Sequence, residues 1–211
     1  MSIPQASDNY IVVGPGRTGS KLIVDSITVI RRQLGMSTVK RDPTHNDSIF
    51  ESSTVYHSHR VKYLGNSHLV SKCIMSIRDL VDSALSWCIK PYIGEWHLYP
   101  IKHSELIVQL EASIPTFYLE PKIFLYHYEA ARVFYQLAGQ YDLSGVLIID
   151  YGSFQYDTMR IVRELGYPLI PLRGIPRKNP GTYREWISNW DEIELVIRDL
   201  ERDPLMFIQK R

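Results

Sequence analysis

The sequence predicts a three-layer α/β fold: a mostly parallel central sheet with helices on both faces, in a single domain over residues 1–211. Three observations carry this. Short apolar runs of strand character alternate with stretches of helical period. The first apolar run leads into a glycine-rich turn that opens a helix. The length suits one domain with a substantial core, and the 45% apolar content is ordinary for a globular chain.

The elements follow in order. Tyr10-Ile-Val-Val13 is a strand, and Gly14, Gly16 and Gly19 form the turn after it. Leu22, Ile23 and Val24 begin a helix over 19–34 that Gly35 ends. A short strand is expected at 37–40, a polar loop at 41–48, and strands near 54–57 and 69–77. From Arg78 to Trp87 the pattern is helical, with Leu80, Val81, Ala84 and Leu85 on the inner side. Residues 88–100 are aromatic and irregular, and helices at 104–112 and 121–140 follow. A strand at 145–150 and a helix at 156–165, stopped by Gly166, complete the sheet region. A Pro/Gly/basic loop at 173–181 precedes a last helix at 190–200. Parallel α/β sheets bind ligands beyond the carboxyl ends of their strands. The turn and Arg78 both sit at such ends, which is consistent with one shared site.

Composition excludes several classes. A net charge of +1 argues against a general nucleic-acid binder, so cationic function must be local, at Arg17/Lys21, Arg78 or Arg173/Arg177/Lys178. Two cysteines, Cys73 and Cys88, make no disulfide framework and read as buried thiols. No apolar run approaches a membrane span, and residues 1–9 lack signal-peptide features, so a cytoplasmic protein is expected.

The turn is built for an anion. Backbone N–H groups and the helix dipole supply positive field, Arg17 and Lys21 supply charge, and Thr18 and Ser20 supply hydroxyl donors. The alternative is a glycine turn that merely caps a helix. A Walker A loop, GxxxxGK[ST], fits from Gly14 to Gly19, but Ser20 stands where Lys belongs. Lys21 comes one place late, with Leu22 after it and no Ser or Thr to hold magnesium. Gly14, Pro15, Gly16, Arg17, Thr18, Gly19, Ser20 and Lys21 instead resemble the 5′-phosphosulfate loop, G-x-x-R-[ST]-G-[ST], of sulfotransferases that use 3′-phosphoadenosine 5′-phosphosulfate (PAPS).

A second segment strengthens the resemblance. The family carries a strand followed by R-[DN]-x-x-D-x-x-x-S, and Arg78, Asp79, Asp82 and Ser86 fall on it, with Leu80 where Pro is usual. The resemblance implies that Arg78 and Ser86 bind the 3′-phosphate. Eight helical residues span about 12 Å, so both reach one phosphate only if Arg78 sits on the strand end and reaches back. The bland reading is a surface helix with an Asp82–Arg78 pair. Thr54-Val-Tyr-His-Ser-His59 is similar to the segment carrying the family's base, with His59 in that place. Val146 to Tyr151 resembles the strand whose Tyr packs near the adenine, although Gly152 and Ser153 replace the family's Glu-Asp. Arg177-Lys178-Asn179-Pro-Gly181 resembles the loop that closes on the 3′-phosphate.

The resemblance implies a P-loop-type nucleotide-binding fold, PAPS as co-substrate, 3′-phosphoadenosine 5′-phosphate as product, and no metal requirement. Arg17 and His59 would be catalytic. Sulfuryl transfer needs in-line positioning, stabilised phosphate oxygens and a base for the acceptor. A histidine titrates near 6.5, which suits a base. His57 shares a strand face with His59, so a structural pair or a two-histidine metal site remain alternatives. The aromatic residues of 87–99 and the helix 123–135 could line an acceptor pocket, or be core. The acceptor could be a small molecule, a glycan, a lipid or a tyrosine-containing peptide, with no nucleic acid and no membrane span expected. An ATP/GTP-dependent phosphotransferase and a non-catalytic nucleotide-binding protein of the same fold are the competing functions.

Overall fold

The computed structural model describes residues 8–41, 53–93, 116–154, 159–168 and 183–201. The helix expected at 104–112, the loop at 173–181 with Arg173, Arg177 and Lys178, and the start of the helix expected at 156 lie outside the described residues.

Contacts gather the chain into two units, Met1–Arg78 with Phe134–Ile175, and Asp79–Val133 with Pro176–Arg211. The first unit holds an all-parallel five-stranded sheet in the order β2-β3-β1-β4-β5. Its strands are β1 (Tyr10–Val13), β2 (Val39–Arg41), β3 (Thr54–Ser58), β4 (Lys72–Ile77) and β5 (Val146–Asp150). All four residues of β1 are buried, as a central parallel strand covered on both faces requires. The chain leaves β1 for β2 and β3 on one side and returns to β4 on the other. The strand order therefore reverses at β1, the kind of point beyond whose carboxyl ends open parallel sheets bind ligands.

Helix α1 (Ser20–Gln33) packs on β1, β3 and β4 through Leu22, Ile23, Ile27 and Ile30. These meet Tyr10, Val12, Val55, Ile74 and Ile149 from the strands in one core cluster. Residues of the opposite sheet face, Ile11, Val13, Cys73 and Met75, are equally buried. The helix stops at Gly35 as expected: Gly35 adopts φ +71°, its N–H meets the Arg32 carbonyl at 3.0 Å, and the Met36 N–H meets that of Arg31 at 2.8 Å. This is a Schellman motif, and its left-handed position favours glycine.

Between β3 and β4 a 3₁₀ segment, Val61–Leu69, buries Tyr63 and Leu64 and packs on β1 and β4. The strand expected from residue 69 begins only at Lys72, after this segment.

Helix α2 (Leu80–Cys88) starts two residues later than the helical pattern suggested. Asp79 is its N-cap, and its carboxylate accepts the Asp82 N–H at 2.9 Å. Arg78 therefore belongs to the strand end and not to the helix. A short turn of helix, α3 (Lys90–Ile93), follows α2, and α4 spans Pro121–Ala138. Within the second unit Tyr92 stacks on Phe117 at 3.8 Å between ring centroids, and Phe117 bridges Ile187.

After β5 come a single helical turn, α5 (Tyr151–Phe154), and α6 (Met159–Glu164). Gly166 ends α6 at φ +70° in a second Schellman arrangement, with Tyr167 N–H to Val162 O at 3.0 Å. The second unit closes with α7 (Tyr183–Trp186) and α8 (Trp190–Glu201), which buries Ile193 and Ile197. Both cysteines are free and buried. Among the described residues no helix is long and apolar enough to cross a membrane.

Candidate functional site

Strand period places the site. Val55, Ile74 and Ile149 point into the α1-side core, so the residues two further along the chain emerge on that same side at the carboxyl ends. Those residues are His57, Ser76 and Tyr151, and all three touch the segment 14–20.

The loop is closed by its own neighbours. A Cβ on Gly14 would overlap Ser76 Oγ, and one on Gly19 would overlap the Tyr151 ring. Gly19 also stands at φ +81°, as the N-cap of α1. These two glycines are thus required by close packing on β4 and Tyr151, before any ligand enters. Arg17 adopts φ +68°, a left-handed conformation that costs a residue with a Cβ about 1–2 kcal/mol. Such strain persists where surrounding structure holds it, and it clusters at binding sites.

Thr18 is fully buried. Its hydroxyl donates to the Pro15 carbonyl at 2.8 Å and lies 2.7 Å from Ser76 Oγ. With its one proton directed at a carbonyl, Thr18 braces the turn from inside. In this arrangement the hydroxyl that was expected to meet a ligand is engaged within the turn, and the backbone N–H of Thr18 remains part of the loop. Ser20 is buried as well, with Oγ 2.8 Å from His57 Nε2. Lys21 is exposed in the first turn of α1, and Leu22 is core. That first turn carries no acidic residue and no side-chain cap, so no carboxylate in it opposes the dipole.

Arg78 follows the end of β4, and its side chain extends to the glycine loop. Its Nη1 donates to the Arg17 carbonyl at 3.0 Å, and its guanidinium lies 4.7 Å from the centre of the Tyr151 ring. Tyr135, in the last part of α4, fixes the backbone there by accepting the Arg78 N–H at 3.0 Å. A cation that is 5% exposed is thus held against the glycine loop. Tyr151, expected beside an adenine, packs between Gly19 and this guanidinium.

His59 follows the end of β3. Its Nδ1 lies 2.8 Å from the Gly14 carbonyl. A carbonyl can only accept, so Nδ1 carries the proton and the neutral ring keeps its lone pair on Nε2. The His57 and His59 rings meet edge to face at 4.6 Å. Among the described residues no group of three His, Cys, Asp or Glu side chains could hold a metal ion.

One unit therefore brings together Gly14, Thr18, Gly19, Ser20, Arg17, Arg78, His57, His59 and Tyr151. Ser86 lies in the other unit, in α2, and is buried. Arg177 and Lys178 are outside the described residues. Sequence reasoning missed Ser76 and Tyr135. A serine interrupting the apolar strand Lys72–Ile77 was a signal for the first. Tyr135 lies 57 residues from Arg78, and nothing local marks it.

No family model and no curated protein matches this chain. A solved structure of a sulfotransferase from Alicyclobacillus acidocaldarius is similar over 90% of this chain and 96% of its own, at 14% identity and a TM-score of 0.41.

Proposed function

We propose that this chain is a PAPS-dependent sulfotransferase, moving a sulfuryl group to a hydroxyl or amine of a small-molecule, glycan or lipid acceptor. One observation carries the reading: a histidine with a lone pair assigned to Nε2 is tied to the first residue of a glycine loop that also holds a buried arginine. Base and anion cradle are parts of one construction.

The residues fit such a donor. The left-handed positions at Arg17 and Gly19, the uncapped N-terminus of α1 and two arginines suit an anion. When bound, PAPS supplies the sulfuryl group and leaves as the bisphosphate. The amides of 16–21 and Arg17 would hold the 5′ end and stabilise charge on the leaving phosphate oxygens. Arg78, Ser86, Tyr151, Arg177 and Lys178 are assigned to the 3′-phosphate and adenine by the family pattern. His59 Nε2 would take the acceptor proton. An ATP- or GTP-dependent phosphotransferase is disfavoured because the Walker lysine position holds buried Ser20, engaged by His57.

The test is turnover of labelled PAPS with an acceptor library. The reading expects label transfer to a hydroxyl or amine acceptor, reduced about 10²–10⁴-fold in kcat by His59→Ala with nucleotide affinity little changed. An ascending pH–rate limb should vanish in that variant. Near-normal turnover by His59→Ala would place the base elsewhere.

A further inference from the structure

We infer that Ser76 is a positioning residue for the 5′ end of the nucleotide: through Thr18 it fixes the shape of the glycine loop that receives the anion. The inference rests on the reading that this loop takes the 5′ phosphate or phosphosulfate of an adenosine nucleotide.

Ser76 and Thr18 are both fully buried, and their hydroxyl oxygens lie 2.7 Å apart. A hydroxyl has one proton and two lone pairs. The Thr18 proton goes to the Pro15 carbonyl at 2.8 Å, so the Ser76 proton goes to Thr18. Two donors in series therefore run from β4 into the loop, Ser76 to Thr18 to Pro15. The last of these bonds closes the turn over Gly16 and Arg17. Hydroxyls in such a chain polarise one another, and burial strengthens each bond.

The turn so closed contains the strained residue. Arg17 stands at φ +68°, and a left-handed residue with a Cβ persists only where its surroundings hold it. The end of β4 grips the loop at two successive residues. Arg78 Nη1 donates to the Arg17 carbonyl at 3.0 Å, and Ser76, two residues earlier, holds Thr18. A Cβ on Gly14 would lie 2.1 Å from Ser76 Oγ, so the same hydroxyl fills the space between the start of the loop and the strand. Without it, other loop shapes compete, and apparent affinity falls with the fraction of loops that keep the binding shape.

The experiment is isothermal titration of the full chain with 3′-phosphoadenosine 5′-phosphate and with adenosine 5′-phosphosulfate, which lacks the 3′-phosphate. Ser76→Ala should weaken both by one common factor, about five- to tenfold, the worth of one hydrogen bond. Thr18→Ser keeps the hydroxyl and should bind both within about twofold of the parent. Thr18→Val should lose at least as much as Ser76→Ala, and adding Ser76→Ala to it should cost nothing further. Ile74→Val, a buried change two residues earlier in β4, should lower the Tm and leave both affinities unchanged. Parental affinity in Ser76→Ala, a loss confined to the bisphosphate, or equal losses in Thr18→Ser and Thr18→Val would overturn the inference and leave the donor reading standing. So would a further loss in the double variant, or a loss in Ile74→Val that matches Ser76→Ala. Failure of the parent protein to bind either nucleotide would overturn both.

Discussion

Arg17 is held in a conformation that its side chain disfavours, and removing that side chain separates strain from function. The left-handed φ of +68° costs about 1–2 kcal/mol for a residue with a Cβ. Glycine escapes this cost but gives about 0.5–1 kcal/mol of it back through the unfolded chain. Arg17→Gly should therefore stabilise the fold by roughly 0.5–1 kcal/mol, which is about 1–4 °C in Tm for a chain of this size. Arg17→Ala retains the Cβ and should show no such gain. Both variants lose the loop cation, and a charge-assisted phosphate contact is worth about 1.5–3 kcal/mol. Each should then bind 3′-phosphoadenosine 5′-phosphate about 10- to 150-fold more weakly. Differential scanning calorimetry and isothermal titration on the three proteins give both quantities. A glycine variant no more stable than the alanine variant, or one that binds like the parent, would refute the claim that strain is held here for a ligand.

Arg78→Ala should weaken the 3′,5′-bisphosphate about ten- to hundredfold by calorimetry while sparing adenosine 5′-phosphosulfate, which lacks the 3′-phosphate. Equal losses would mean that Arg78 acts only by holding the Arg17 carbonyl. Burial pushes both thiols up to about 12, so Cys73 and Cys88 should resist a thiol-disulfide reagent in the native protein at about pH 8 and both react once unfolded. Rapid native labelling would contradict their burial. Burial also lowers the pKa of His127, which stacks on Trp87 at 5.4 Å. Below the ordinary histidine value of about 6.5 the unfolded chain then binds more protons than the folded one. The His127 contribution is present above that value and lost as pH falls through the folded pKa. Urea midpoints between about pH 7.5 and about pH 5.5 should fall less steeply in His127→Gln, and an unchanged slope would assign the loss to other groups.

What was legible in the sequence is what local chemistry dictates. Tyr10–Val13, the glycine turn and α1 announce themselves by an apolar run, a turn and a helical period. Gly35 and Gly166 stop their helices where only left-handed φ will serve. The start of α2 was misplaced because periodicity cannot separate a strand-end arginine from a first helical turn. Asp79, with Asp82 three places on, was the capping signal that settles it. The 3₁₀ segment Val61–Leu69 has neither a long apolar run nor a helical stripe to reveal it.

The site divides in the same way. That Gly14, Arg17, Gly19 and Arg78 converge follows from their places at strand ends. That Thr18 turns inward, that Tyr135 braces Arg78 and that Tyr151 lies under its guanidinium are tertiary facts with no local trace.

Titration calorimetry with 3′-phosphoadenosine 5′-phosphate in a chelating buffer, against ATP and GTP with magnesium, tests the central claim most directly. The account predicts that the bisphosphate binds without magnesium and, at about 100 times its Kd, adds about 2.7 kcal/mol of apparent stability. No binding at millimolar bisphosphate, or binding only of ATP or GTP with magnesium, would contradict it.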